Sequence, residues 1–355
     1  MRKILGALVL AAVCVWAAAS FAPGLLSAGA KASENNFQAA GMLLDTLEQG
    51  GDSMTFRARG LNESGIFRAL EATYPYAFSL HCTRRGQSTI TVQVEVENRE
   101  AQKQAALLAE GVVRNLIADD MLLRDRLRVL HDYLIKSCVY DTATAEAGDP
   151  SVGSGADAPF TAAGALLNGR AVCAGYARAY MLLCRAAGID MIYIADKDMN
   201  HGWNAVRLYG DVYYIDTTFD DPVPDRGELV STEYFLKTAD DFAQTHTWDR
   251  EFYNEMIDYA LPRELNNAQR LYDLGLLDAP PSAAAAREPM EDGRRRALVQ
   301  MTGVSLTKNM TEAQAADAVW AALNEGTLAR ALVRKGAFDE VRARQVGIYE
   351  EVMQK

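Results

Sequence analysis

Cysteine and histidine are the scarce residues of this chain: its 355 residues include only 5 cysteines and 4 histidines. Cys14 lies in the apolar N-terminal run, and Val13 before it is too large for a good lipid-attachment site. Cys82, Cys138, Cys173 and Cys184 could form two disulfides in an oxidising compartment, but their spacing is not that of a disulfide framework. No close pair has the spacing of a zinc site, so neither a metal nor another cofactor is expected. Positive charge is also in deficit. Lys and Arg number 36 against 47 Asp and Glu, for a formal net charge of −11. An acidic chain with scattered cations has no footprint for nucleic acid or an anionic membrane surface. Half of the chain is apolar (49%), enough for one well-filled core and room for a second.

The long apolar run is at the N-terminus. Residues 1–30 read Met1-Arg2-Lys3, then apolar Ile4–Ala19, then small residues, with Ala28-Gly29-Ala30 fitting a small-x-small cleavage pattern. Two readings fit: a cleaved export signal, preferred here, or an uncleaved tether through residues 4–26. Either places the remainder outside the cytoplasm, secreted or membrane-anchored.

Residues 31–100 read as a small α+β unit: a helix at 36–48, a strand at 53–58, a helix from Glu63 capped by Asn62, and a hairpin turning at Arg85-Gly86. Ile90, Val92, Val94 and Val96, spaced by two, mark its clearest strand. The period then becomes helical, in two helices split near Asp119-Asp120. Residues 141–160 form a Gly/Ser/Ala-rich loop, read as a rim or lid because it precedes the richest chemistry of the chain. Residues 101–275 are taken as the catalytic domain, 276–289 as a linker and 290–355 as a helical accessory region.

Cys173 opens an Ala-rich helix that Gly188 terminates. A cysteine in a first turn meets the positive end of the helix dipole, which stabilises the thiolate that acts as nucleophile, and the backbone N–H groups there face a developing oxyanion. Ala177, Tyr180, Met181 and Cys184 share the face expected to be buried. Downstream, 202–208 and 212–218 read as two strands. A two-residue turn at Tyr209-Gly210 puts His201 opposite Thr218 and diagonal to Asp216 on one face, so that a base and the carboxylate orienting it meet.

Three segments, the Cys173 helix, Asn200-His201-Gly-Trp-Asn204 and Tyr213-Tyr214-Ile-Asp216-Thr-Thr-Phe-Asp-Asp-Pro222, resemble in order the signature blocks of the transglutaminase-like superfamily. Leu130–Asp141 and Tyr234–Asp240 are similar to the segments flanking those blocks, so the resemblance covers roughly 105–260. It implies a papain-like α+β core, with the cysteine helix packed on an antiparallel sheet. It also implies that Cys173 is the nucleophile, His201 the general base and acid, and Asp216 the orienting carboxylate. Gly202 departs from the alanine frequent in the family. The oxyanion side chain has no clear match. Tyr140 and Asn168 qualify by position alone, and Trp203, read as alternating away from His201, could equally line the cleft from a bend or pack in the core.

His131 is expected to be structural, His246 to pack at the surface near the site, and Asp220-Asp221 to form a turn stopped by Pro222. The chemistry available is thiolate attack on an amide or ester carbonyl to give an acyl-enzyme. The preferred reading is a peptidase-like hydrolase of extracellular or envelope protein, with a protein or peptide as partner. Protein cross-linking or acyl transfer on cell-wall peptide is the alternative, and a non-catalytic papain-like binding module is the third reading. The oligomeric state is left open.

Overall fold

The computed structural model describes residues 32–118, 120–147, 158–324, 327–334 and 343. The export or tether segment and residues 148–157 of the expected rim loop lie outside the described residues, while Thr142–Ala147 of that stretch is helical rather than loop.

The N-terminal unit comprises α1 (Ala32–Glu48), β1 (Ser53–Arg57), α2 (Glu63–Thr73), β2 (Phe78–Arg85) and β3 (Thr89–Val96). Asn62 caps α2 by accepting from Gly65 N–H at 2.7 Å. β3 lies between β1 and β2, antiparallel to both. Its Ile90, Val92, Val94 and Val96 point inward, as period-two spacing demands.

Next come α3 (Arg99–Leu116), α4 (Leu123–Ser137), β4 (Val139–Tyr140), α5 (Thr142–Ala147), α6 (Ala162–Asn168), β5 (Arg170–Ala171) and α7 (Cys173–Ala186). The central sheet follows as β6 (Met191–Asp196), β7 (His201–Leu208) and β8 (Asp211–Ile215), all antiparallel with β7 in the middle. Tyr209 and Gly210, with φ of 52° and 93°, make the two-residue turn, so Leu208 pairs with Asp211 and Asn204 with Ile215. Both positive φ values are what a two-residue hairpin of the strands' own twist requires. The chain closes with α8 (Ala239–Phe242), α9 (Arg250–Ala260), α10 (Asn266–Asp273), α11 (Asp292–Thr302), α12 (Glu312–Asn324) and α13 (Thr327–Arg334).

The central sheet separates two cores. On one face, Met191, Tyr193, Val206 and Leu208 pack against α7 and the helices around it. On the other, Ile192, Ile194, Trp203, Ala205 and Tyr214 share an aromatic-rich core with α1, α2, β3 and α9. Every residue of β7 is therefore buried, and Asn204 and Arg207 anchor it to its surroundings. Asn204 Nδ2 donates to Ala177 O at 3.1 Å, and Arg207 Nε to Leu261 O at 2.7 Å. The N-terminal unit thus forms the back wall of the sheet that carries His201.

α7 is more enclosed than its amphipathic pattern implied. All residues from Cys173 to Cys184 are buried, not only the Ala177–Cys184 face. The reason is its position, with α3, α4 and α6 on one side and β6 and β7 on the other. Arg178 meets the N-terminal unit through a buried ion pair with Glu71 at 3.0 Å. Burial raises the Glu71 carboxyl to about 7 despite Arg178. In the 276–289 stretch Leu276 and Leu277 are buried, and Leu298, Val319 and Leu323 of the C-terminal helices join the same core as α7.

Candidate active site

Cys173 stands at the first position of α7, and Val172 before it provides no side-chain cap. The close approach of Pro159 fixes that end. Val172 N–H donates to Pro159 O at 2.9 Å, and a Cβ on Gly175 would stand 2.4 Å from the same oxygen. Only glycine lets the helix start sit this tightly on the preceding turn. The thiol contacts Asn200 O at 4.0 Å, and Cys173 is among the groups that raise the His201 imidazole. Cys173 and His201 are each 6% exposed, so the pair is enclosed but not sealed.

His201 Nε2 lies 2.6 Å from Asp216 Oδ2. That leaves the other ring nitrogen for the thiol. The Asp216 carboxylate is fully buried yet satisfied, since Oδ1 accepts from the N–H groups of Thr218 (2.9 Å) and Phe219 (3.1 Å). Burial works against its charge, but His201 and then His246 outweigh it and hold the carboxyl well below the usual carboxylate range. Burial likewise disfavours the imidazolium of His201, but Asp216 and Cys173 overcome it and raise the group to about 10. His201 therefore carries a proton at neutral pH.

The expected diagonal of His201 and Asp216 is thus realised through the two-residue turn. Trp203 requires a correction. Two residues along one strand point to the same face, so Trp203 lies beside His201, ring centroids 5.6 Å apart. It is 1% exposed and belongs to the core, not to a cleft wall. Tyr140 is brought to the site, because β4 pairs in parallel with β5 and sets Tyr140 opposite Ala171, two residues before Cys173. Burial raises its hydroxyl to about 12, and the charges of Cys173 and Asp216 add to the shift. Asn168 is not brought to the site: it ends α6 exposed, lining a separate surface groove with Asn98 and Gln102.

Gly202 gains a local explanation. A Cβ there would stand 2.5 Å from the Tyr193 hydroxyl and 2.8–2.9 Å from two ring carbons, so alanine does not fit beneath the neighbouring strand. Phe219 stacks on the His201 ring at 4.6 Å while remaining 44% exposed, which makes it the outer wall of the imidazole.

His246 is the residue sequence reasoning missed. It is 1% exposed, not a surface residue, and its Nε2 lies 3.0 Å from the same Asp216 Oδ2 that His201 uses. The available signal was its setting, a histidine among Phe242, Trp248 and the aromatics of a core-forming stretch. The ligand-capable atoms of His201, Asp216 and His246 lie within 4.8 Å of one another. Both imidazoles point at one carboxylate oxygen, which is the geometry of two N–H donors on an acceptor rather than of three ligands around a shared centre. Asp220 and Asp221 are both engaged by protein groups: Asp220 by His131 (3.1 Å) and Tyr234 N–H (3.0 Å), Asp221 by the Tyr176 hydroxyl (2.5 Å).

A helix-borne thiol set against an antiparallel sheet that carries an imidazole and its carboxylate defines a papain-like α+β core. Residues 110–218 match the family model of the transglutaminase-like superfamily. Among solved structures, one described as the crystal structure of a TGase shares 13% identity over 54% of this chain and 55% of its own, with a TM-score of 0.27. The chain thus spans about half the length of that protein. No curated protein matches the chain.

Proposed function

We propose that this protein is an extracytoplasmic thiol hydrolase that cleaves amide bonds of protein or peptide through Cys173, His201 and Asp216. The His201–Asp216 pair at 2.6 Å, with Cys173 acting on the same imidazole, carries the reading. Supporting it, protonated His201 beside the thiol is the partner a thiolate needs, and the uncapped start of α7 offers N–H donors to a carbonyl oxygen. The export-like residues 1–30 support the location.

In the proposed cycle the Cys173 thiolate adds to the carbonyl carbon. The C–N bond then breaks as His201 gives its proton to the leaving amine, and an acyl-thioester remains on Cys173. Water adds next, His201 takes its proton, and the C–S bond breaks to release the acid and restore the thiolate–imidazolium pair. An amine in place of water would make the same intermediate a transferase.

The test is incubation with casein, with and without a fluorescent primary amine. Cleavage that requires Cys173 is the expected result. Amine incorporation without cleavage would replace hydrolysis by transfer. Inertness toward casein, toward the amine and toward cell-wall peptide would favour the non-catalytic reading.

A further inference from the structure

Asp216 Oδ2 serves two imidazoles, at 2.6 Å for His201 and 3.0 Å for His246, and a second imidazole on the orienting carboxylate calls for its own account. A buried carboxylate only accepts, so both Nε2 atoms carry protons toward it. On its other side, Nδ1 of His246 meets the Thr245 hydroxyl at 2.8 Å. The ring itself is immobilised. It stacks on Phe242 at 3.9 Å and 26° and meets Trp203 edge-on at 4.9 Å. At 1% exposure no water competes for its place. The ionisable groups around this pair of rings are Cys173 from α7, Asp216 after β8, Tyr140 from β4, and Tyr234, whose ring is 5.5 Å from His246.

We propose that His246 is a positioning residue that acts through Asp216: it pins Oδ2 where His201 needs it and divides the carboxylate's charge between two donors. This rests on the triad reading of the site. Dividing the charge lessens the stabilisation that Asp216 gives the His201 imidazolium, so His201 remains able to release its Nδ1 proton during turnover. Holding Oδ2 from a second direction also keeps the His201 ring aimed at Cys173 without tightening their own bond. A ring that only filled core volume would do neither.

The test reads the thiol and needs no substrate. The rate of Cys173 alkylation by iodoacetamide is followed from pH 5 to 11 in wild type, His246→Phe, His246→Gln and His201→Ala. Phenylalanine keeps the stacked ring and removes the donor, whereas glutamine keeps an N–H donor near the position of Nε2. With Asp216 undivided, His246→Phe is expected to move the alkaline transition of the profile upward by about one pH unit, the scale of one charge-assisted hydrogen bond. His246→Gln is expected to stay near wild type. A His246→Phe profile that is unmoved or lowered, with only the melting temperature changed, would reduce His246 to a packing residue. If wild type and His201→Ala alkylate alike, the triad reading itself fails, and that outcome is distinct from failure of His246 alone.

Discussion

Two buried histidine–aspartate pairs, His201–Asp216 and His131–Asp220, have their aspartates four residues apart along the chain, and only one of them leaves a ring nitrogen for a thiol. The distances are similar, 2.6 Å and 3.1 Å. In both, burial opposes the imidazolium and carboxylates overcome it, so both histidines are raised above the ordinary imidazole value. A raised imidazole is therefore no mark of a catalytic base here. What differs is the second ring nitrogen. His131 spends it on Asp132, at 2.9 Å, and the residue is fully buried. His201 leaves it for the Cys173 thiol, which is 6% exposed. The first pair braces α4 against the loop after β8, where Asp220 also accepts from Tyr234 N–H. The second keeps one nitrogen available, and reactivity follows from that availability.

The comparison breaks most visibly at the thiol pair. Cys173→Ala should abolish casein cleavage with thermal unfolding close to wild type, and His201→Ala should lower cleavage by at least about 10³-fold while also losing the stability that its pairing with Asp216 supplies. His131→Ala should spare activity. It leaves the buried Asp220 carboxylate with the Tyr234 N–H but without its imidazole partner, so urea unfolding should show a loss of about 3 kcal/mol with activity per folded molecule unchanged. A catalytic defect in His131→Ala matching that of His201→Ala would erase the distinction.

The pH dependence sharpens it. The folded state retains the His201 proton up to about 10, whereas the unfolded imidazole releases it near 6.5. The His201 contribution to stability is therefore complete below about 6.5 and is lost as pH rises toward 10. Activity should fall on the same alkaline limb, and His201→Ala should lack it in stability scans. Glu71 slopes the same way for another reason. Its folded value of about 7 exceeds the unfolded 4.5, so the folded state holds the extra proton and stability falls as pH rises between them. Glu71→Gln should flatten that earlier slope and leave the His201 limb in place. The smallest expected effect is that of Gly202→Ala, which presses a methyl onto the Tyr193 ring and should cost about 1–3 kcal/mol in chemical denaturation.

Local rules made most of the scaffold legible. Asn62 announced α2, the valine alternation announced β3, and Gly188 marked the end of the Cys173 helix. The His201–Asp216 diagonal was legible because side-chain direction on a strand has period two and the Tyr209-Gly210 turn fixes the register. What escaped came from contacts between distant segments. His246 reaches Asp216 across 30 residues of chain, and no local pattern records that meeting. Tyr140 gains its place through pairing with β5, which is long-range as well. The burial of α7 on all sides depends on the N-terminal unit and the helices around it, which an amphipathic count on α7 alone does not register. Trp203 was legible in principle, since the parity that joined His201 to Asp216 also joins His201 to Trp203.

The central claim is that Cys173 alone is activated, and competition among the four thiols of the described residues tests it most directly. Cys138 is buried, and its thiol is pushed up to about 12; Cys184 is buried with its thiol raised further. Cys82 is more exposed than Cys173, and burial with the charge of Glu63 raises it to about 11. Limiting iodoacetamide at pH 7, with adducts located by mass spectrometry, should label Cys173 first by a wide margin in spite of its 6% exposure. Labelling of Cys82 at an equal or faster rate would mean that exposure governs reactivity, and the account of an activated nucleophile would be contradicted.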